Sequence, residues 1–179
     1  MKLEKTVGNP NEIIHVKSGY EDFFGELMNL VRKNDMNEQL GEELKRLALT
    51  FPSRYDLNAF DIISANQYER TFIGKDESGW EAIIMTWRKG RQSTIHGHPQ
   101  FAADNILKGK VKLEIFEDIG NGDLKLLNEL EIDEGTGLFA IGESNVMSNH
   151  IHRISCLSDI SYSLHIYSDD ARKGFTYSI

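Results

Sequence analysis

The chain has 179 residues, of which 40% are hydrophobic and 27% are charged, and its formal net charge is −8. This length and composition favour one folded domain with a sizeable core and exclude a chain too polar to fold. The acidic balance, without a basic stripe, argues against nucleic acid and anionic membranes as partners.

The cysteine content and the first residues indicate a reducing compartment. Cys156 is the only cysteine, so no intrachain disulfide can form, and we expect it to be a small buried residue. No apolar run is long enough for a membrane span, and residues 1–5 lack the apolar core of a secretory signal. We therefore expect a cytoplasmic protein.

The first 60 residues predict a helical flank. Apolar residues recur with a helical period between Tyr20 and Val31, and Ser18 and Glu21 have the spacing of a capping box. Asn37 stands at the N-cap position of a second helix with apolar residues on one face. We expect these helices to pack on a core rather than to form a binding surface.

From Tyr68 onward the apolar pattern has a period of two, which is typical of strands. The predicted strands are residues 68–73, 80–87, 93–98, 111–117, 124–132, 137–141, 152–156 and 161–167. Residues 120–123 (Gly-Asn-Gly-Asp) predict a hairpin turn between two of them. Many short strands that do not alternate with helices predict a sandwich or a barrel.

The pair His96 and His98 is the strongest chemical signal in the chain. Residues i and i+2 of a strand point to the same face, so these two imidazoles can bind one metal ion. His150 and His152 share a face of a later predicted strand, and either can supply a third ligand.

Carboxylates and a polar triplet are further candidates. Asp104, Glu114 and Glu117 are possible carboxylate ligands, although we expect them to be solvated. The side chains of Ser163, His165 and Tyr167 alternate on one strand face, with Leu164 and Ile166 on the other. This polar triplet must face solvent or be hydrogen-bonded inside the protein.

Gly90, five residues, His96-x-His98 and then Gly109 resemble the first sequence motif of the cupin β-barrels. The glutamate of that motif falls on Ala102, which implies a site of three histidines. His152 fits the metal ligand of the second cupin motif, in which Asn149 replaces the usual glycine.

Four further segments resemble the cysteine dioxygenase (type I) family, the thiol dioxygenases of the cupin superfamily. Arg70 lies 26 residues before His96, at the spacing of that family's substrate-binding arginine. Residues 93–98 resemble the segment that carries the first two metal ligands. Residues 151–154 resemble the segment that carries the third ligand, where an arginine follows the histidine. Residues 163–168 are similar to the family's serine-histidine-tyrosine relay.

The resemblance implies a mainly β fold, the cupin double-stranded β-helix (jelly-roll barrel) with two or three short N-terminal helices. It implies a single cupin domain over residues 1–179, with residues 1–60 as a helical flank and residues 68–168 as the barrel with the site. One Fe(II) per chain would be held by His96, His98 and His152. His152 is preferred over His150 because Arg153 follows it.

The resemblance also implies roles for the other residues. Arg70 would clamp the substrate carboxylate and Tyr68 would add a hydroxyl donor. Ser163 would orient His165, which would orient the hydroxyl of Tyr167. L-cysteine is favoured over other small thiol carboxylates, because relatives that use 3-mercaptopropionate usually have glutamine at the clamp position.

The expected reaction follows from the ligand set. Three neutral imidazoles leave three open positions on an octahedral Fe(II), enough for a thiolate, an amine and dioxygen. Transfer of both oxygen atoms to sulfur gives the sulfinic acid. The expected partners are therefore a small thiol and O2, and the expected assembly is a monomer or a small homo-oligomer.

Three departures from the family and two alternatives bear on this hypothesis. Ala102 or Ala103 replaces the cysteine that animal-type relatives crosslink to the tyrosine, Gly97 replaces a common aspartate, and residues 168–170 lack an expected proline. We therefore expect the loop after Tyr167 to run differently. The alternatives are a metal-binding cupin with other chemistry (an isomerase or a carbon dioxygenase) and a non-enzymatic small-ligand-binding cupin.

Overall fold

The computed structural model describes residues 3–6, 14–62 and 66–177. The helices are α1 (Glu21–Lys33), α2 (Glu38–Leu49) and α3 (Phe51–Arg54), with 3₁₀ turns at Leu57–Phe60 and Ala171–Lys173. The strands are β1 (Leu3–Thr6), β2 (Ile14–Lys17), β3 (Tyr68–Lys75), β4 (Glu81–Arg88), β5 (Ile95–His98), β6 (Phe101–Lys108), β7 (Lys110–Gly120), β8 (Asp123–Asp133), β9 (Thr136–Ile141), β10 (Asn149–Cys156), β11 (Ile160–Tyr167) and β12 (Thr176–Tyr177). Among these described residues, no helix is both long and apolar enough to cross a bilayer.

The strands form two antiparallel sheets, which confirms the predicted mainly β class. The larger sheet has the order β1-β2-β3-β4-β11-β6-β9, and the smaller has the order β12-β5-β10-β7-β8. Buried side chains from both sheets, among them Met85 and Trp87 in the larger and Leu113 and Ile154 in the smaller, form one apolar cluster. The space between the two sheets is therefore a packed interior, and the candidate site lies within it.

The N-terminal helices belong to a second apolar cluster, together with one face of the larger sheet. Phe23, Phe24 and Leu27 of α1 are buried in that cluster with Leu164 and Ile166 of β11. This packing removes apolar area from water at roughly 25 cal/mol per Å², so the flank stabilises the sheet that carries part of the site. The prediction that the helices pack on a core is confirmed.

The helix starts agree in part with the capping patterns. Asn37 caps α2 as predicted, because its Oδ1 accepts a hydrogen bond from the backbone N–H of Leu40 at 3.0 Å. The capping box at Ser18 was a wrong prediction: Tyr20 occupies the N-cap of α1 without a side-chain cap bond. Glu21 instead accepts from the N–H of Gly19.

The period-two pattern located eight of the strands to within a few residues, and the predicted hairpin is present. Asn121 and Gly122 join β7 to β8 with φ angles of 59° and 84°, in the left-handed region that such tight turns require. Four strands were not predicted: β1, β2, β6 and β12. Of these, β6 matters most, because it pairs with β11 and contributes Asp104 to the interior.

Candidate metal centre

Three histidines from two paired strands converge between the sheets. His96 and His98 lie on β5, and His152 on β10 is the register partner of His96. One ring nitrogen of each residue lies within 4.8 Å of the corresponding atom of the other two. Such spacing allows a single ion to bind all three nitrogens. The structure therefore brings together the three histidines that the sequence grouped as metal ligands.

The second ring nitrogen of each histidine faces an acceptor. Nδ1 of His96 lies 3.0 Å from the carbonyl oxygen of Thr94, and Nδ1 of His98 lies 3.2 Å from that of His150. Nδ1 of His152 faces Asp104 Oδ2 at 3.6 Å. The Nε2 atoms of His98 and His152 are buried and have no hydrogen-bond partner among the residues that the structure describes. Metal-binding histidines have this arrangement, since the outer nitrogen donates and the inner one ligates.

The histidines are held in the neutral form that binds metal. Burial lowers the pKa of His152 to about 3, although the carboxylate of Asp104 acts in the opposite direction. Burial, and after it the neighbouring His152, hold the pKa of His98 well below its usual value. Burial also lowers the pKa of His96. A metal ion at neutral pH therefore need not displace protons from these rings.

The structure separates the two candidates for the third ligand. His150 is outside the cluster of three, and its Nε2 lies 3.4 Å from the carbonyl oxygen of Gln100. Its φ angle is 53°, and the pairing of β10 with β5 shifts register between Asn149 and His152. This irregularity means that the simple alternation of a flat strand does not hold at His150.

A close backbone approach explains the glycine between the two β5 histidines. A Cβ atom on Gly97 would lie 2.4 Å from the Cα of Ser148. The Asn149 side chain fixes that neighbouring loop, since its Oδ1 accepts from the N–H of Glu143 and its Nδ2 donates to the carbonyl of Val146. The departures at Gly97 and Asn149 are thus parts of one packing arrangement.

The polar triplet of β11 is buried and hydrogen-bonded, so the interpretation of a solvated face is wrong. Ser163 Oγ lies 2.6 Å from His165 Nε2, and the hydroxyl of Tyr167 lies 2.9 Å from His165 Nδ1. Trp87 extends the chain, because its Nε1–H donates to Ser163 Oγ at 2.8 Å. Burial raises the pKa of Tyr167 well above its usual value, so this hydroxyl keeps its proton at neutral pH.

A cavity of about 280 Å³ opens beside His96. Tyr68, Arg70, Met85, Thr94, His96 and Tyr167 line it together with residues 171, 172, 174 and 176. Arg70 forms no ion pair within the part of the chain that the structure describes, so its guanidinium is available to an anion. A larger cavity of about 530 Å³ shares Arg70 with it but contains none of the three clustered histidines. Because it brings Arg70 next to one of the clustered histidines, the cavity beside His96 is the candidate substrate site.

Two of the three carboxylates are not solvated, which corrects the expectation from sequence. The side chain of Asp104 is only 12% exposed and lies between His152 and His165. Glu114 is buried and accepts two hydrogen bonds of 2.7 Å from Arg153. Glu117 is exposed as expected. The sequence named Asp104 as a possible ligand but predicted it to be solvated, because the strand around it has no alternating pattern that shows which of its faces is buried.

The loop after Tyr167 is ordered by acidic side chains in place of the proline. Asp170 accepts from the N–H of Arg172 and lies 3.2 Å from Lys75 Nζ. The N–H of Ala171 donates to the buried Glu81 at 2.7 Å. These contacts hold residues 171–176 against the small cavity.

A comparison with solved structures finds similar chains at low sequence identity. A cupin superfamily protein from Desulfitobacterium hafniense is 14% identical with a TM-score of 0.48, over 65% of this chain and 90% of that one. The cupin domain of Cnp3 from Schizosaccharomyces pombe is 9% identical with a TM-score of 0.47, over 64% and 74%. A comparison with curated proteins finds no match.

The family comparison covers nearly the whole chain. The family described as cysteine dioxygenase type I matches residues 12–177, a span that includes all three clustered histidines, Arg70 and the β11 triplet. Its members are cupin thiol dioxygenases with a bound metal. The chain belongs to the cysteine dioxygenase type I family.

Proposed function

We propose that this protein is an Fe(II)-dependent thiol dioxygenase that oxidises L-cysteine to its sulfinic acid. The observation that carries the proposal is the arrangement of His96, His98 and His152. Their inner nitrogens lie within 4.8 Å of one another while their outer nitrogens face acceptors. Two of those inner nitrogens are buried and unpaired within the described part of the chain, a costly condition that a bound metal ion would relieve.

The donor set suits ferrous iron. Three neutral imidazoles without a carboxylate leave several coordination positions open, as in other non-haem oxygenase sites. A ferrous ion held by these residues would supply the redox chemistry that joins both atoms of O2 to a thiolate sulfur. The overall change balances without an external reductant, because sulfur gives up four electrons and dioxygen accepts them.

Arg70 and Tyr68 would select the substrate. Both line the small cavity beside His96, and the Arg70 guanidinium can bind a carboxylate with two parallel hydrogen bonds. The cavity volume of about 280 Å³ suits a small amino acid rather than a peptide. A thiol that also carries a carboxylate fits this combination of one cation and one histidine cluster.

The β11 triplet would position the reacting groups. Ser163 and Trp87 hold the His165 ring, which in turn lies 2.9 Å from the Tyr167 hydroxyl. Tyr167 lines the same cavity as Arg70, so its hydroxyl can donate a hydrogen bond to a group bound beside the histidines. Its raised pKa keeps that proton in place at neutral pH.

The test is an aerobic incubation of the Fe(II)-loaded protein with L-cysteine, 3-mercaptopropionate and cysteamine, followed by mass detection of the products. We expect a product with two added oxygen atoms from L-cysteine, formed faster than from the other thiols. Faster oxidation of 3-mercaptopropionate would overturn the assignment of L-cysteine as the substrate. No oxidation of any thiol by protein with bound iron would point to the alternative cupin chemistries or to ligand binding.

A matched pair of variants tests the ligand assignment. We expect His152→Ala to lose iron, and we expect His150→Asn to keep it. His150 lies on the same strand but outside the cluster, and asparagine tolerates its positive φ. Equal iron content in the two variants would contradict the assignment of His152.

A further inference from the structure

Asp104 lies between two histidines of the site. Its Oδ1 is 2.6 Å from Nδ1 of His165, and its Oδ2 is 3.6 Å from Nδ1 of His152. The residue belongs to β6, where it is the register partner of His165 on β11. The side chain is only 12% exposed. None of the sequence motifs assigns a residue to this position between a candidate metal ligand and the β11 triplet.

Asp104 is oriented toward the outer nitrogen of His152, not toward the metal position. It is absent from the group of side chains whose ligand atoms converge, as far as the described residues extend. Each carboxylate oxygen therefore lies against the outer nitrogen of one of the two rings.

The short contact determines which nitrogen of His165 carries a hydrogen. The ring N–H and Oδ1 of Asp104 are not well aligned, but an unprotonated nitrogen 2.6 Å from a carboxylate oxygen would place two lone pairs against each other. Nδ1 must therefore be protonated. Nε2 then accepts from Ser163, whose own oxygen accepts from the Nε1–H of Trp87.

With this tautomer of His165, the hydroxyl hydrogen of Tyr167 is not used in the contact with His165. The Tyr167 oxygen lies 2.9 Å from the same Nδ1. Because Nδ1 is protonated, it has no lone pair to accept the tyrosine hydrogen, so the tyrosine oxygen must be the acceptor in that contact. The Tyr167 hydroxyl can then donate into the cavity beside His96.

We propose that Asp104 is a positioning residue that holds both His152 and His165 as Nδ1–H tautomers. On His152 this leaves the Nε2 lone pair for the metal, and on His165 it turns the Tyr167 hydroxyl toward the substrate. One carboxylate thereby orients a metal ligand and a proton donor together, as outer carboxylates do in other metal sites. The inference rests on the proposed metal site but not on the identity of the thiol.

The direct test is the tautomer of each histidine in the full-length protein without metal, labelled with ¹⁵N-histidine. Long-range ¹H–¹⁵N correlation spectra distinguish protonated from unprotonated ring nitrogens. We expect His152 and His165 to carry hydrogen on Nδ1 at neutral pH. A hydrogen on Nε2 with a bare Nδ1 in either residue would overturn the proposal.

The variant Asp104→Asn supplies a second readout. Its amide turns one acceptor into a donor, which disfavours Nδ1–H on one of the two rings. We expect Fe(II) affinity, measured by competition with a chelator, to fall by about 10–100-fold. Unchanged affinity together with unchanged tautomers would overturn the proposal. Should this variant not fold, the wild-type tautomers still decide the question.

Glu114→Gln is the matched control. Glu114 is also a buried carboxylate, but its oxygens accept from Arg153, and within the described residues it is not one of the side chains whose ligand atoms converge. We expect it to keep the Fe(II) affinity of the wild type. A loss equal to that of Asp104→Asn would show a general effect of removing a buried charge and would contradict a specific role. These readouts remain meaningful even if the wild type oxidises no thiol.

Discussion

The rings of His98 and Tyr167 stack across the two sheets, with centroids 5.5 Å apart and an interplanar angle of 24°. His98 belongs to β5 of the smaller sheet and Tyr167 to the end of β11 in the larger one. The contact joins the side of the interior that carries the three clustered histidines to the hydrogen-bonded triplet. The position of the tyrosine hydroxyl is therefore set by packing as well as by His165.

Tyr167→Phe tests the role of the hydroxyl separately from that of the aromatic ring. The variant keeps the aromatic contact with His98 but loses the hydrogen bond to His165. Since Tyr167 is not one of the clustered ligands, we expect iron content to stay unchanged while kcat for cysteine falls by about 10–100-fold. Rates of sulfinate formation at matched iron content provide the measurement. A kcat equal to that of the wild type would remove Tyr167 from the mechanism.

Arg70→Gln tests the carboxylate clamp. A hydrogen bond to a charged group contributes about 1.5–3 kcal/mol, which corresponds to a rise of about 10–100-fold in KM for L-cysteine. Arg70→Lys retains the charge without the planar fork, so we expect an intermediate KM. Cysteamine lacks a carboxylate and serves as the control substrate. If its KM rises as much as that of L-cysteine, Arg70 does not bind the carboxylate.

Gly97→Ala tests the close approach of the loop to β5. The added Cβ would lie 2.4 Å from backbone of Ser148, so we expect a loss of about 1–3 kcal/mol in the free energy of unfolding. Gly25→Ala is the contrasting control, because no described residue outside its own helical turn lies within 4 Å of its Cβ position in α1. There we expect a gain of about 0.5–1 kcal/mol. Thermal unfolding that shows the same change for both variants would contradict this packing.

The buried neutral histidines make the metal-free protein sensitive to acid. The folded pKa of His152 is about 3, below the value of about 6.5 in an unfolded chain. Below pH 6.5 the unfolded state therefore binds more protons, and the free energy of unfolding falls by about 1.4 kcal/mol per pH unit for such a group. This loss extends from pH 6.5 down toward pH 3.

His152→Gln provides the comparison for that pH dependence. Glutamine is close in size and does not titrate, so we expect the variant to lose less stability between pH 6.5 and pH 5 than the wild type. Denaturant unfolding of the metal-free proteins at both pH values gives the measurement. Parallel pH dependence in the two proteins would show that His152 does not titrate on unfolding.

Alternating patterns predicted much of this fold because they report which face of a strand is buried. In β11, Leu164 and Ile166 pack toward the helices, while Ser163, His165 and Tyr167 point between the sheets. Their spacing alone therefore grouped the polar residues on one face. The nature of that face, buried rather than solvated, required knowledge of the smaller sheet opposite.

Strand β6 shows why the remainder could not be predicted. It lies between β11 and β9, and both of its faces are largely buried, so it has no alternating pattern. Asp104 and Asn105 interrupt its apolar residues, and each is accommodated by a partner far away in sequence. The Asn105 side chain donates to the carbonyl of Leu164, and Asp104 faces His165. Only the three-dimensional pairing reveals these partners.

Incubation of the iron-loaded protein with L-cysteine under ¹⁸O2 tests the central claim most directly. If His96, His98 and His152 hold one ferrous ion at which a thiol is oxidised, the product is cysteine sulfinate with two ¹⁸O atoms, and one O2 is consumed for each molecule formed. Cystine as the only product, or a sulfinate with oxygen from water, would contradict the account.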